Sequence, residues 1–293
     1  AARFSVSTSS CKTLAEILKN HDDLISIEMK KTLLLIFSAL VISCNSDDGN
    51  SSTSETTYHI NEYFFGNMIY PNGVMENLDN LVKIEYDNNF NIVKRNGGYS
   101  SFDPSSGYPY IFTDNLYDQL TYSTNQILIE KKTTSTFSIP KFERKLFLDN
   151  NNRIIKKEIF REFDLTPRDT IYYSYNSNGK LAESRNGNVN SYNEVSKFYF
   201  NSANNLDSIV TRKYNSTVLQ SKVVEEFSNY DSAINPVKNL LLFEETFYRS
   251  LTQNNFRKYE RKEYDIDNNL TFSSFKNWTL IYDESGKVKF ESH

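Results

Sequence analysis

Histidine and cysteine, the side chains that most often carry nucleophilic or metal chemistry, are scarce in this chain and badly placed for either. The 293 residues hold three histidines and two cysteines. Beyond His21 only His59 and His293 remain, the second being the last residue. A Ser-His-Asp arrangement needs an imidazole held by an orienting partner, and a chain terminus does not offer one. A zinc site built from Cys and His would depend on the same two histidines. Asp265-Ile266-Asp267-Asn268-Asn269 presents oxygen ligands at alternate positions, as a calcium loop does. An EF-hand would then want Gly and Glu where Leu270 and Lys276 stand, so these residues are expected to form a turn. Asn96-Gly97-Gly98 lacks the Lys and helix start of a phosphate loop. The sequence assigns no catalytic residue, no metal ligand and no cofactor.

Carboxylates are plentiful, at 37 Asp and Glu against 33 Lys and Arg. A pair of them could hydrolyse a glycosidic bond, yet no pair stands out by position. The net charge of −4 and the absence of a basic cluster argue against a phosphate backbone as partner. Short basic pairs such as Lys131-Lys132 and Lys156-Lys157 are expected on solvated strand faces.

Cys44 is the residue with the most specific context. Met29-Lys30-Lys31 precedes the apolar run Leu33–Ile42, which has the charged start and apolar core of an export signal. Spanning a bilayer as a helix takes about 20 residues, so the run is too short to anchor the chain by itself. Val41-Ile42-Ser43-Cys44 resembles the lipobox of bacterial lipoproteins, in which the signal is cut ahead of the Cys and the Cys carries the lipid. The resemblance implies lipidation at Cys44. Residues 45–54 are polar and bear Gly and Ser, as a flexible tether does. Their acidic Asp47-Asp48 resembles the surface-export signal of Bacteroidetes lipoproteins. The expected organisation is an upstream segment 1–28 (upstream sequence or a misassigned start), a signal peptide 29–43, a lipidated Cys with tether 44–57, and one domain 58–293.

What must position any site in that domain is a repeated hairpin. Tyr86-Asp87-Asn88-Asn89-Phe90-Asn91-Ile92 recurs in form at 148–154, 175–181, 200–206, 264–270 and 282–288, with a shortened copy at 122–127. Each copy is an aromatic or aliphatic residue, Asp or Asn, two polar residues, a Gly/Asn-type position, a polar residue and an aliphatic one. Asp and Asn side chains accept bonds from backbone groups two residues on, and Gly or Asn tolerates the positive φ that closes such a loop. The flanks are aromatic and β-branched strand material. Starts at 148, 175 and 200 lie 27 and 25 residues apart, room for two strands and two turns. Seven copies predict about 14 strands, each paired to its sequence neighbour. The fold class is therefore all-β, an antiparallel meander of repeated hairpins forming a strongly curved or barrel-like sheet.

The motif resembles the Tyr-Asp repeat of Rhs-type shell proteins. Over residues 80–293 it resembles more closely a family of Bacteroidetes lipoproteins built from such hairpins in a porin-like sheet. In that family Tyr-Asp-x-x-x-Asn-Pro recurs before a Leu, as in Tyr230-Asp231-Ser232-Ala233-Ile234-Asn235-Pro236. The resemblance carries no activity with it. Arg257–Glu263 would put charges on both faces of a strand, unlike the lipid-facing alternation of an outer-membrane barrel. The expected function is binding or scaffolding at the cell envelope, with a glycan or another envelope protein as partner and the membrane reached through the lipid. The expected location is the outer membrane, at the cell surface or facing the periplasm. A glycan-degrading hydrolase is the alternative, and a shell around a partner would require a hollow interior. The irregular segment 99–118 carries four Tyr, and long loops on β scaffolds often bind. Tyr99, Tyr108 and Tyr110, with Trp278 as the single tryptophan, are the expected ligand rim.

Overall fold

The computed structural model describes residues 59–68, 80–100, 111–134, 136, 139–162, 164–188 and 192–290. The upstream segment, the apolar run, Cys44 and the tether lie outside these residues, as do Tyr108 and Tyr110. The six full copies of the motif all form the same loop. In the first, Asp87 N–H donates to Asn91 O (2.9 Å) and Phe90 N–H to Asp87 O (3.0 Å). Asp87 Oδ1 then accepts the N–H groups of Asn89 and Asn91. Asp149, Asn176, Asn201, Asp265 and Asp283 repeat both side-chain bonds. The fifth position has positive φ in every copy: Phe90, Asn152, Gly179, Asn204, Asn268 and Gly286. Phe90 is the unexpected residue there, and its ring stacks on His59 at 4.5 Å.

These loops join consecutive strands. The early strands are β1 (Glu62–Phe64), β2 (Leu81–Tyr86), β3 (Ile92–Ser100), β4 (Ile111–Ser123) and β5 (Gln126–Thr133). They continue as β6 (Phe142–Leu148), β7 (Ile154–Arg161), β8 (Asp169–Tyr175), β9 (Leu181–Asn188) and β10 (Tyr192–Phe200). The last of the sheet are β11 (Leu206–Asn215), β12 (Val218–Ser228), β13 (Lys258–Tyr264) and β14 (Leu270–Asn277). All 14 form one sheet in sequence order, antiparallel throughout. A separate pair, β15 (Ile281–Tyr282) with β16 (Val288–Lys289), closes the chain.

Each copy within the sheet also shifts register by one residue beside its first position, at Tyr86, Leu148, Tyr175, Phe200 and Tyr264. Bulges bend a strand and increase its twist, so their recurrence makes the sheet curl. The motif tyrosines stitch neighbouring hairpins together. Tyr86 donates to Ile60 O, Tyr122 to Ile92 O, Tyr175 to Ile154 O and Tyr230 to Leu206 O. In the last three the acceptor is the residue that ends the preceding motif.

Alternate positions split the strands into an inner and an outer face. Ile84, Leu120, Ile129 and Leu146 point inward in one buried cluster, and Phe198, Ile209, Phe227 and Tyr259 in another. Outward run Lys94 with Glu85, Lys156 with Glu158, and Lys262 with Glu226 and Glu260. On Arg257–Glu263 the expected two-sided charge is present, Arg261 facing in toward Glu225 and Lys262 facing out. The sheet edges β1 and β14 do not pair with each other. Lys276 of β14 reaches Gly66 O just past β1, and Phe64 N–H of β1 donates to Phe290 O after β16.

Candidate functional site

Between β12 and β13 the meander is interrupted by residues 229–257, which fold into the interior of the curled sheet. Their two ends are pinched together: Asp231 accepts from the Asn255 backbone N–H (3.0 Å) and amide. Buried Asn235 donates to Arg249 O and Thr252 O and accepts from Val237 N–H. Those bonds satisfy backbone groups that no strand pairs. A one-turn helix, α1 (Phe247–Ser250), follows. Its Arg249, 1% exposed, lies over the rings of Phe256, Trp278 and Phe290 and donates to Phe256 O. Val237, Leu240 and Phe243 pack with the β1–β7 cluster, and Phe247 and Tyr248 with the β9–β13 cluster. One segment thus fills the space that both halves of the sheet face.

Where it meets the wall it does so through charge. Glu245 pairs with Arg95 and accepts from Tyr63 Oη at 2.7 Å. Glu244 approaches Lys157 at 3.6 Å. Behind them Asp118 Oδ2 lies 2.8 Å from Arg144 and 3.6 Å from Arg95. Burial alone disfavours the Arg95 charge, but Glu245, Tyr63 and Asp118 more than reverse that and its pKa lies above the usual value. Burial holds the Lys157 and Lys131 ammonium groups below the usual lysine range.

On the opposite wall Glu225 accepts from Tyr259 Oη (2.5 Å) on one oxygen and Tyr248 Oη (3.1 Å) on the other. Burial pushes its carboxyl up, against the pull of Tyr259, Arg261 and Tyr248. Between the walls lies a cavity of about 460 Å³ whose lining includes Lys157, Tyr173, Ser184, Ser196, Glu225 and Phe247. A space of that size suits a sugar-sized molecule, with aromatic surface for apolar contact and a few fixed polar groups. Both Glu225 oxygens accept tyrosine hydroxyls.

Of the expected rim residues Tyr108 and Tyr110 lie outside the described residues, and Tyr99 and Trp278 belong to separate packing groups. Tyr99 lies on β3 as a packing residue, edge-on to Phe65 and Phe112, with its hydroxyl accepting from Asn80. Trp278 is 7% exposed and belongs to the core beneath Arg249, so it is not part of a rim. Asp265–Asn269 is a repeat turn, and among the described residues no group of three His, Cys, Asp or Glu could hold a metal. The basic pairs expected on solvated faces divide: Lys132 and Lys156 pair with outward glutamates, whereas Lys131 and Lys157 turn inward. The reason is strand alternation, since adjacent residues cannot share a face. A signal was present in the sequence, because Asp118 lies between Leu116 and Leu120, and Lys131 follows Ile127 and Ile129 on one stripe.

No protein-family model and no curated protein matches the chain. Among solved structures it is similar to a porin-like protein from Bacteroides uniformis, at 11% identity and TM-score 0.45, covering 71% of this chain and 80% of that one. A porin-like protein from Bacteroides vulgatus aligns at 10% identity and TM-score 0.41, over 79% of this chain and 90% of that one. The fold described above rests on the strand register itself.

Proposed function

We propose that this chain is a cell-envelope lipoprotein, cut ahead of Cys44 and tethered through residues 44–57, whose β domain 58–293 binds a glycan inside its curled sheet without catalysis. The observation that carries the binding reading is the cavity of about 460 Å³ between the β7–β12 wall and the inserted segment. Tyr173, Phe198 and Phe247 offer ring surface beside the hydroxyls of Ser184 and Ser196. That mixture suits a hydroxylated ring with one apolar face. The outer face supports attachment by lipid rather than by burial in a bilayer. An Arg or Lys facing lipid at mid-bilayer costs about 2–4 kcal/mol, and Lys145, at the centre of β6 between the inward Arg144 and Leu146, faces outward, as Lys94, Lys156 and Lys262 do nearer the strand ends.

The test is an array of envelope-type oligosaccharides probed with the full-length protein. Retention of one sugar class, lost when Phe247→Ala opens the cavity floor, is the expected result. Retention of none would end the glycan reading. Attachment is tested separately: Cys44→Ala should leave a precursor that takes up no radiolabelled palmitate, and equal labelling of both proteins would refute lipidation. A hydrolase reading has one observation in its favour, the buried Glu225 with its raised pKa beside other cavity carboxylates. If Glu225 were a catalytic acid, Glu225→Gln would abolish release of reducing sugar while binding persisted. The binding reading expects no such release from the wild type.

A further inference from the structure

We infer that the β3–β7 wall flanking this cavity is a site for a small hydroxylated carboxylate, of which a uronic acid is the sugar form. The inference rests on the binding reading above and narrows its ligand. Four cations line that wall, Arg95, Lys131, Arg144 and Lys157, and four carboxylates face them, Asp118, Glu244, Glu245 and, from β8, Asp169. Arg95 is matched by Glu245 and Asp118, and Lys157 by Glu244. Arg144 shares Asp118 with Arg95. Lys131 stands directly across from Asp118 in the β4–β5 register but forms no ion pair among the described residues. Its ammonium instead lies 5.5 Å from the Phe142 ring, with the Arg144 guanidinium 5.7 Å from the same ring. Two cations therefore sit side by side, Arg144 sharing its carboxylate with Arg95 and Lys131 without an ion pair of its own.

The hydrogen bonding is incomplete at the same place. Arg144 and Asp118 are each 5% exposed, yet Arg144 Nε has no acceptor and Asp118 Oδ1 no donor among the described protein atoms. Buried polar groups left in this condition are costly and rare. Lys131 beside them is half-buried, so its charge is only partly solvated. A bare anion would answer Lys131 and Arg144 Nε but would repel Asp118 Oδ1. A ligand that brings a carboxylate to the two cations and a hydroxyl donor to Asp118 Oδ1 meets all three needs. A uronic acid has both groups on one ring. Glu245 and Lys157 connect this wall to the cavity, since each also lines it.

The experiment is a calorimetric titration of the full-length protein with sodium galacturonate, galactose and inorganic phosphate, repeated on Lys131→Met and Lys131→Arg. Galacturonate should bind at least tenfold tighter than either galactose or phosphate. Lys131→Met should lose tenfold or more of that affinity, Lys131→Arg should keep most of it, and Lys131→Met should melt no lower than wild type. A merely structural lysine would move the melting temperature and leave the galacturonate affinity alone, which would overturn the inference. Phosphate binding as tightly as galacturonate would overturn the hydroxyl requirement and the ligand class with it. Galactose binding with galacturonate no tighter would overturn the inference and leave the glycan reading standing. Absence of binding by all three would also overturn it, and the oligosaccharide array then decides the glycan reading alone. Should Lys131→Met fail to fold, the wild-type ratio of galacturonate to galactose settles the matter by itself.

Discussion

The chain meets the same end of the sheet several times, and on one of those visits it does something different. Between β10 and β11 it closes with a five-residue turn held by Asn201. Between β12 and β13, at the same end of the meander, it starts as though to do so again. Tyr230 makes the stitch to Leu206 O that Tyr175 makes to Ile154 O, and Asp231 follows as the motif requires. But Asp231 is given to Asn255, 24 residues on, rather than to its own loop. The segment between then turns inward and meets β3, β7, β8, β10 and β12. Repetition here makes curvature and uniqueness makes interior. The turn that is copied six times builds scaffold, and the cavity proposed as the site is lined by the segment that is not copied.

The largest damage is expected in the unrepeated segment. Arg249→Ala removes a buried guanidinium in contact with three rings and a carbonyl, and should cost about 3–5 kcal/mol in urea unfolding. Gly179→Val comes next. Its φ is +74° with nothing nearer its missing Cβ than Arg153 Nη1 at 3.8 Å, so the cost is backbone strain, about 1–3 kcal/mol for a β-branched residue there. Tyr175→Phe deletes only the half-buried stitch to Ile154 O and should cost about 0.5–1.5 kcal/mol by the same assay.

A pH titration sharpens the comparison within the turns themselves. Asp87 and Asp265 have pKa values lowered first by the side-chain bonds of Asn91 and Asn269, Asp149 by that of Arg153, and Asp283 by the Lys287 backbone N–H. A depressed folded pKa contributes stability that is present above the unfolded value of about 3.9 and is lost as pH falls through the folded one. Melting temperature should therefore drop below pH 4. Replacing all four by Asn should flatten that drop, since Asn176 and Asn201 build the same turn without charge. The smallest effect belongs to Asn152→Gly, which relieves a positive φ of 59° while loosening the unfolded chain. It should change stability by under about 1 kcal/mol.

The scaffold was legible in the sequence because its information is local. Asp87 and Asn91, or Asn201 and Asn205, lie four residues apart and meet in the turn they specify. The meander, its strand number and its curvature follow from copies of that chemistry. The site was not legible, because its residues converge over long separations. Tyr63 finds Glu245 across 182 positions, and Arg144 finds Asp118 across 26 through an intervening strand. Spacing cannot announce such pairs. Alternation could have flagged Asp118 and Lys131 as charges on an apolar stripe, but the bulges shift the stripe by one residue beside each turn. Trp278 misled for a related reason. Its rarity marked it as a binding residue, whereas its place under Arg249 makes it a packing surface.

Hydrogen exchange with and without galacturonate, followed along the whole chain, tests the division most directly. Slowed exchange should appear in β3–β7 and in residues 237–248, with the repeat turns at 87–91, 149–153 and 265–269 unchanged. Protection confined to those turns or to β14, with the inserted segment unaffected, would contradict the account.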